Sequence, residues 1–222
     1  MANSLSGAGG TFAAGGARVG AVVLAAGMST RMGQPKQLML WDGKPMVRHV
    51  VDALVAGGAE AGATVVVVGH EREKVEAALS GSKAKAAFNP DYADGSMLKS
   101  LQVGVAAVQS PGFMGGPPPD AVLVALGDQP QIKSEVAQAV IAHWRASDGE
   151  IVAPRFEGRR GHPILFARSI WPEILAVQPV GSPRDILNVY SGRVTYVDVD
   201  DDSILRDIDT PEDYRQETER RV

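Results

Sequence analysis

The segment Leu24–Leu38 carries two cationic side chains, Arg31 and Lys36, shortly after the small residues Ala25–Gly27. Small residues let a ligand approach the backbone closely, so that N–H groups can bind phosphate oxygens. Arginine supplies a planar fork for phosphate, and lysine supplies a mobile point charge. Together these groups meet the needs of a bound triphosphate. A glycine-rich connector with solvated cations is the alternative, and it is disfavoured because the cations follow a strongly apolar run.

The glycine spacing excludes two other phosphate-binding motifs. Gly27 and Gly33 are too far apart for a Walker A loop, and no Gly-Lys-Ser or Gly-Lys-Thr follows them. The segment also lacks the spacing of G-x-G-x-x-G, so a dinucleotide-binding loop is excluded as well.

A carboxylate, Asp128, follows the apolar run Ala121–Leu126 and is expected to project towards the cationic loop. Chemistry at a bound triphosphate requires neutralisation of phosphate charge, which Mg²⁺ provides when one or two carboxylates hold it. An aspartate here could instead cap the next helix. The nearby cationic loop favours the metal-binding interpretation.

Two further carboxylates, Asp207 and Asp209, alternate about Ile208 and share one face if the backbone is extended. The alternative is that Asp209 or Thr210 caps the helix that Pro211 begins.

The elements that would position these residues alternate between short β-branched runs and helical patterns. The predicted strands are Val19–Ala26, Thr64–Gly69, Ala84–Phe88, Ala121–Leu126, Ile151–Ala153, Pro163–Phe166 and, at an edge, Val194–Val199. The predicted helices lie near 47–54, 71–79, 97–108, 136–144, 170–177 and 184–190, with a last one starting at Pro211. This order predicts an α/β fold with a mostly parallel, mixed sheet flanked by helices. Ligands then bind outside the carboxyl ends of the strands.

The stretch Pro111–Pro119 is too rich in proline and glycine for a helix or strand and is expected to be a surface insertion.

Composition narrows the class of protein. The chain has 222 residues, no cysteine and a net charge of -4, which excludes a thiolate metal site and argues against nucleic-acid binding. No apolar run reaches the roughly 18 residues of a membrane span, and no signal peptide is visible. We expect a flexible Gly/Ala-rich tail over 1–17, a single domain over 18–222 and a cytoplasmic location.

The stretch Leu24–Leu38, LAAGMSTRMGQPKQL, resembles the L-A-A-G-x-S-x-R-M-G-x-P-K-x-L signature of nucleotidyltransferases with a GT-A-like, Rossmann-related fold. Within this group it is most similar to the molybdenum-cofactor nucleotidyltransferases of the MobA/MocA type, particularly the cytidylyltransferases. The resemblance covers about residues 19–217. Other cytidylyl and uridylyl transferases share the signature, so it implies the reaction class and leaves the acceptor open.

The resemblance implies roles for individual residues. In the family the aspartate of an Asp-x-Pro motif binds the metal, which matches Asp128, and the second aspartate of D-I-D-T-P-E-D is linked to the metal, which matches Asp209. The segment 89–101 resembles the family's N-P-x-[YW]-x-x-G…S-[LI] motif, so that Gly95 and Ser100 are expected at the nucleotide. The full nucleotide-binding set is then Leu24, Ala25, Ala26, Gly27, Arg31, Lys36, Gly95 and Ser100, with Arg31, Lys36 and Asp128 as the catalytic residues.

Three residues are candidates for binding the acceptor. His162 lies in a G-H-P motif typical of the cytidylyltransferase branch, and either contacts an anionic acceptor or braces its loop. Arg155 is expected to attract a phosphorylated pterin. Arg184 survives from the family's G-D-x-G-A-R-x-L-L stretch, which here reads VGSPRDIL over Val180–Leu187, without the acidic residue.

The resemblance implies a Mg²⁺-dependent transfer of CMP from CTP to molybdopterin cofactor with release of pyrophosphate. A molybdenum hydroxylase or its maturation factor would be a partner, and neither nucleic acid nor membrane would be one. Three alternatives stay open: a guanylyl or other nucleotide transferase with a related phosphorylated acceptor, a non-catalytic carrier of molybdenum cofactor, and a structural or regulatory nucleotide-sensing domain.

Overall fold

The computed structural model describes residues 16–147, 149–178 and 190–220. The predicted tail therefore falls outside the described residues except for its last two positions. Arg184 and the helix predicted near it lie outside them as well, apart from Tyr190.

The described residues form one large mixed sheet with helices on both faces, which confirms the predicted α/β class. Its strand order is β10-β7-β9-β6-β1-β4-β5, with β8 paired to β7, and a separate hairpin joins β2 to β3. The strands are β1 Val19–Ala25, β2 Leu40–Trp41, β3 Lys44–Pro45, β4 Thr64–Val68, β5 Lys85–Phe88, β6 Ala121–Leu126, β7 Ile151–Phe156, β8 Arg159–Arg160, β9 Ile164–Ala167 and β10 Val194–Asp198. The helices are α1 Met46–Ala56, α2 Arg72–Ala78, α3 Met97–Gln109, α4 Pro111–Met114, α5 Ser134–Ala146, α6 Trp171–Ala176 and α7 Pro211–Glu219.

The central strands are apolar throughout because both of their faces are covered. In β1, Ala21 and Val23 belong to the core beneath α1 and α5, whereas Val22 belongs to the core beneath α3 and α6. Side chains that alternate between two buried faces produce a continuous apolar run.

The hairpin β2–β3 and the strand β8 were absent from the sequence prediction, and the stretch Pro111–Pro119 was wrongly expected to contain no helix or strand. The hairpin β2–β3 turns at Asp42 and Gly43, both with positive φ, and this Asp-Gly pair is itself a hairpin signal. The stretch expected to be a surface insertion instead begins with α4, because Pro111 occupies its first turn and the Ser110 hydroxyl accepts from the Phe113 N–H. β8 pairs with the end of β7, which extends three residues beyond the predicted Ile151–Ala153.

The parallel strands β1, β4 and β6 end at the same edge of the sheet. Leu24 stands beside Val67 on one side and beside Leu126 on the other. The loops that follow these three strands therefore meet at that edge, where the sequence placed the candidate chemistry. None of the helices in the described part of the chain has the length and apolar character needed to span a bilayer.

Candidate active site

A cleft of about 260 Å³ opens at the carboxyl edge of β1, β4 and β6. All of the predicted nucleotide-binding residues line it, as do both predicted metal ligands. Its lining consists of Leu24, Ala25, Ala26, Gly27, Ser29, Thr30, Arg31, Lys36, Gln37, Tyr92, Gly95, Ser96, Met97, Ser100, Leu126, Gly127, Asp128 and Asp209.

The loop after β1 is folded back by its own side chains. Ser29 adopts a left-handed conformation, and its hydroxyl accepts from the Lys36 N–H at 3.0 Å. The same hydroxyl donates to Gln37 Oε1 at 3.3 Å, and Gln37 Nε2 donates to the Gly27 carbonyl at 3.4 Å. The buried Gln37 thus links the two ends of the loop. Sequence analysis missed Gln37; a polar residue between Lys36 and the apolar Leu38 was the available signal.

Close backbone contacts join the three loops at this edge. The Gly127 N–H donates to the Leu24 carbonyl at 2.9 Å, and the His70 N–H donates to the Ala26 carbonyl at 3.3 Å. A Cβ on Gly69 would lie 2.6 Å from the same Ala26 oxygen and 2.4 Å from Cβ of Tyr92. A side chain at residue 69 would therefore displace the wall of the cleft.

The charged side chains form one connected cluster. Lys36 Nζ lies 2.6 Å from Asp128 Oδ2 and 2.7 Å from Asp209 Oδ1. Arg31 Nη1 lies 2.8 Å from Asp209 Oδ2. These residues come from the loop after β1, the end of β6 and the segment before α7, so that distant parts of the sequence meet here.

The cluster favours the ionised forms of Lys36 and Asp209. Burial disfavours the charge on Lys36, but Asp128 and Asp209 outweigh this effect and raise the pKa of the ammonium. Burial acts against the charge on Asp209 as well, yet Lys36 and Arg31 lower the pKa of that carboxyl. The cluster is therefore an array of opposed charges at the mouth of the cleft.

The donor set at this point fits a hard divalent cation. Two carboxylates converge on a single position, which the Lys36 ammonium marks in the structure. Mg²⁺ is held in proteins by one or two carboxylates while it keeps several waters. The described residues contain no group of three or more Asp, Glu or His side chains that could form a cage of protein ligands.

Asp207 has a different environment from Asp209. Gln129 Nε2 donates to Asp207 Oδ1 at 2.6 Å, and Gln129 is almost fully buried. Burial raises the pKa of Asp207, and the negative charges of Asp128 and Asp209 add to this effect. The Gln129–Asp207 bond thus ties the loop that carries Asp128 to the segment that carries Asp209.

Another part of the cleft lining comes from the segment that leads into α3. Gly95 has a φ of 67° and ends the short turn of helix over Tyr92–Asp94. Ser96 caps α3 by accepting from the Lys99 N–H at 3.3 Å. Tyr92, which sequence analysis did not single out, lines the cleft beside these residues.

The predicted acceptor residues within the described residues lie outside the cleft lining. Arg155 makes a two-pronged ion pair with Asp198, at 2.7 and 3.0 Å, and its guanidinium lies over the Tyr196 ring. His162 is half-buried, and its N–H donates to the Ile204 carbonyl at 3.3 Å. Burial lowers the pKa of His162 to about 4. The Arg155 side chain thus ties β7 to β10, whereas the His162 contact is made by the backbone. Acceptor binding by either side chain stays a prediction.

The helix after Asp209 resolves one of the open alternatives. Thr210 is the N-cap of α7, since its hydroxyl accepts from the Asp213 N–H while the Asp213 side chain accepts from the Thr210 N–H. Asp209 is thus free of the capping role and directs its carboxylate to the cations.

Comparison with known proteins gives related enzymes over nearly the full chain. The molybdenum cofactor cytidylyltransferase of Escherichia coli (strain K12) is 26% identical over 201 residues, which are 90% of this chain and 95% of that protein. The crystal structure of Rv0371c from Mycobacterium tuberculosis H37Rv is 28% identical, with a TM-score of 0.73 over 91% of this chain and 98% of that one. The same protein in complex with manganese is 26% identical, with a TM-score of 0.67 and the same coverage.

The family model for the MobA-like NTP transferase domain matches residues 21–194. This match includes the loop after β1 and Asp128, whereas Asp209 follows it. The chain belongs to the MobA-like NTP transferase family, and it is a nucleotidyltransferase.

Proposed function

We propose that the protein transfers CMP from CTP to the phosphate of molybdopterin cofactor, releases pyrophosphate and requires Mg²⁺. The observation that carries this proposal is the cluster of Arg31, Lys36, Asp128 and Asp209 at the mouth of a cleft floored by small residues. The choice of CTP and of the acceptor is supported by the similarity to the E. coli cytidylyltransferase along 90% of this chain.

In the proposed complex the triphosphate lies against the loop after β1. Backbone N–H groups around Ala25–Gly27 bind its oxygens, and Lys36 and Arg31 offset its charge. Both cations then exchange a carboxylate partner for a phosphate partner. The exchange keeps each charge paired, so that the largely buried Lys36 ammonium is not left without a counter-charge.

Asp128 and Asp209 would hold the Mg²⁺ ion. Mg²⁺ bound there would neutralise charge on the α-phosphate and on the leaving pyrophosphate. Gln129 and Asp207 keep the two carboxylate-bearing segments at a constant separation through their hydrogen bond. A manganese complex of the similar mycobacterial protein supports a divalent cation in this fold.

The transfer needs no general base from the protein. A phosphate monoester has a second pKa of about 6, so that its oxygen is ionised and nucleophilic at neutral pH. This oxygen forms a bond to the α-phosphorus of CTP, and the bond from the α-phosphorus to the bridging oxygen breaks. Pyrophosphate leaves with the electron pair of that bond. The protein contributes alignment and charge neutralisation.

The test is release of pyrophosphate from CTP and from GTP, each with Mg²⁺ and purified molybdenum cofactor. We expect release with CTP that depends on the acceptor. Release with GTP alone would retain the site and overturn the choice of base. Silence with both nucleotides, together with binding of the cofactor, would replace the transferase proposal with that of a carrier.

The proposed location is the cytoplasm, and the proposed client is a molybdenum hydroxylase or its maturation factor. Recovery of the tagged protein from a soluble cell fraction tests the location. Co-purification of a molybdenum hydroxylase or its maturation factor with the tagged protein tests the client.

A further inference from the structure

We infer that Asn89 fixes the Ser100 hydroxyl as a hydrogen-bond donor towards the cleft, so that Ser100 pairs with an acceptor atom on the base of the bound nucleotide. Asn89 is thereby a positioning residue that acts through Ser100. This role presupposes the proposed function, in which a nucleoside triphosphate occupies the cleft.

The orientation of the Asn89 amide is set by the backbone. Its Oδ1 accepts from the Asp91 N–H at 3.0 Å. A backbone N–H can only donate, so the atom that faces it is the amide oxygen. The other end of the amide, Nδ2, then faces Ser100 Oγ at 3.0 Å. Asn89 is 1% exposed, so water does not compete for these two contacts.

This arrangement excludes Asn89 as the acceptor for the hydrogen of the Ser100 hydroxyl. A hydroxyl has one hydrogen and two lone pairs. Nδ2 of Asn89 is a donor and occupies a lone pair of Ser100 Oγ, so the hydroxyl hydrogen points away from Asn89. Within the part of the chain that the structure describes, this is the hydrogen bond that Ser100 Oγ makes. Ser100 is buried to 7% exposure and lines the cleft, so its hydrogen is available to a ligand there.

The surroundings of Ser100 suit a base better than a phosphate. Tyr92, Gly95, Ser96 and Met97 line the cleft beside it, and none of these described neighbours is charged. The cations of the cleft lie instead on the loop after β1. A nucleotide that places its triphosphate on Arg31 and Lys36 therefore extends its base towards Ser100.

A hydroxyl donor favours the edge of cytosine over that of guanine. Cytosine carries two adjacent acceptors at its pairing edge, N3 and O2. Guanine carries two adjacent donors, its N1–H and its exocyclic amine, beside the single acceptor O6. A buried hydroxyl that donates into the cleft leaves the N–H groups of guanine without an acceptor there, which lowers the affinity for GTP.

Asn89→Asp tests the inference because it reverses this polarity without changing side-chain shape. A carboxylate at residue 89 still accepts from the Asp91 N–H, but it also accepts from the Ser100 hydroxyl, which then turns away from the cleft. We expect the Kd for CTP, measured calorimetrically with Mg²⁺, to rise about tenfold, as for one lost hydrogen bond. Tripolyphosphate has no base, and we expect its Kd to stay within about twofold.

Ser100→Ala provides the second arm and remains informative if Asn89→Asp does not fold. We expect the same loss of CTP affinity with unchanged tripolyphosphate affinity. In the Ser100→Ala background, Asn89→Asp should add nothing for CTP, because its effect passes through Ser100. Ser169→Ala is the matched control. Ser169 is exposed and follows β9, which ends beside the start of β6, whereas the cleft lies at the carboxyl end of β6.

Three results would overturn the inference. These are an unchanged CTP affinity in Ser100→Ala, an equal loss for tripolyphosphate, or additive effects in the double variant. A wild-type preference for GTP would also overturn it, because the Ser100 donor favours the two acceptors of cytosine over the two donors of guanine. Failure of the proposed function alone would show as intact base-dependent binding without release of pyrophosphate.

Discussion

At the scale of single residues, the active site is a balance of two cations and two carboxylates. Lys36 Nζ contacts Asp128 and Asp209 together, and Arg31 adds a second contact to Asp209. Loss of one carboxylate removes a proposed metal ligand and leaves an excess of positive charge. The two consequences act differently on binding and on turnover, which makes them separable.

Asp128→Asn is therefore expected to lower kcat by about 100-fold or more, while CTP binding without metal is retained or tightened. The fold should persist, because Lys36 keeps its contact with Asp209. Steady-state release of pyrophosphate and calorimetric binding of CTP measure the two effects. Asp198→Asn is the matched control, since Asp198 is an exposed partner of Arg155, and its rate should stay within about twofold. A near-normal rate in Asp128→Asn would end the metal-binding assignment.

Sequence analysis predicted which residues line the cleft where the type of a residue and its place in the chain were both informative. Arg31, Lys36 and Asp128 follow strongly apolar strands, and the carboxyl ends of such strands share an edge. The contacts of Arg155 were not predictable, because its partner Asp198 is 43 residues away on a neighbouring strand. Asn89 was missed for a related reason. Its role depends on which side of a buried amide faces Ser100, and spacing carries no such information.

At the scale of elements, α3 positions Ser100 because Gly104, one helical turn later, has no side chain to hold the helix away from the sheet. A Cβ on Gly104 would lie 2.3 Å from Val22 Cγ1 and 3.0 Å from Val67 Cγ2. The glycine thus lets the helix pack directly on β1 and β4. Because residues four apart share a helix face, Ser100 and Gly104 approach the sheet together.

Gly104→Ala should destabilise the protein by about 1–3 kcal/mol through overpacking, even though alanine favours a helix by about 1 kcal/mol. The added methyl group should also push α3, and Ser100 with it, away from the sheet and thereby weaken CTP binding. Urea unfolding and calorimetry measure the two effects. Gly112→Ala in α4 is the matched control, because its Cβ would have no neighbour within 4 Å. The control should be neutral or stabilising by up to about 1 kcal/mol, and equal effects in both variants would contradict this account of α3.

The elements themselves were largely predictable, because buried parallel strands and amphipathic helices leave strong periodic patterns. β6 has the predicted bounds, and β10 lies at the sheet edge as expected. The short elements were harder, since β2, β3 and β8 contain two residues each and depend on turns and on pairing partners. In α4 the capping hydroxyl of Ser110 outweighs a composition that argues against a helix.

At the scale of the whole molecule, the G-H-P loop links the β8–β9 turn to the segment that leads to Asp209. A Cβ on Gly161 would lie 2.1 Å from the Ile204 carbonyl oxygen, and the His162 N–H donates to the same oxygen. Folding therefore places His162 in an environment where burial disfavours its charged form. The free energy of unfolding then depends on pH.

The sign of this dependence follows from the two pKa values. Burial lowers the pKa of His162 to about 4, against 6.5 for the free side chain. As the pH falls below 6.5, His162 becomes protonated in the unfolded chain but stays neutral in the native protein until about pH 4. The free energy of unfolding therefore decreases as the pH is lowered through this window. Carboxylates such as Glu150, whose pKa Arg193 lowers from its usual 4.5, begin to lose their contribution near that value, at the acid end of this window.

His162→Gln removes this proton from both states and is expected to flatten the pH dependence of stability. From pH 7.5 to pH 5 the wild-type protein should lose about 2 kcal/mol more of its free energy of unfolding than the variant. Urea unfolding of both proteins with a chelator present, at several pH values across the window, measures the difference. Parallel curves would mean that the pKa of His162 is the same in the native and unfolded proteins. The environment of the G-H-P loop would then not disfavour the charged imidazole, and this account of the pH dependence would be wrong.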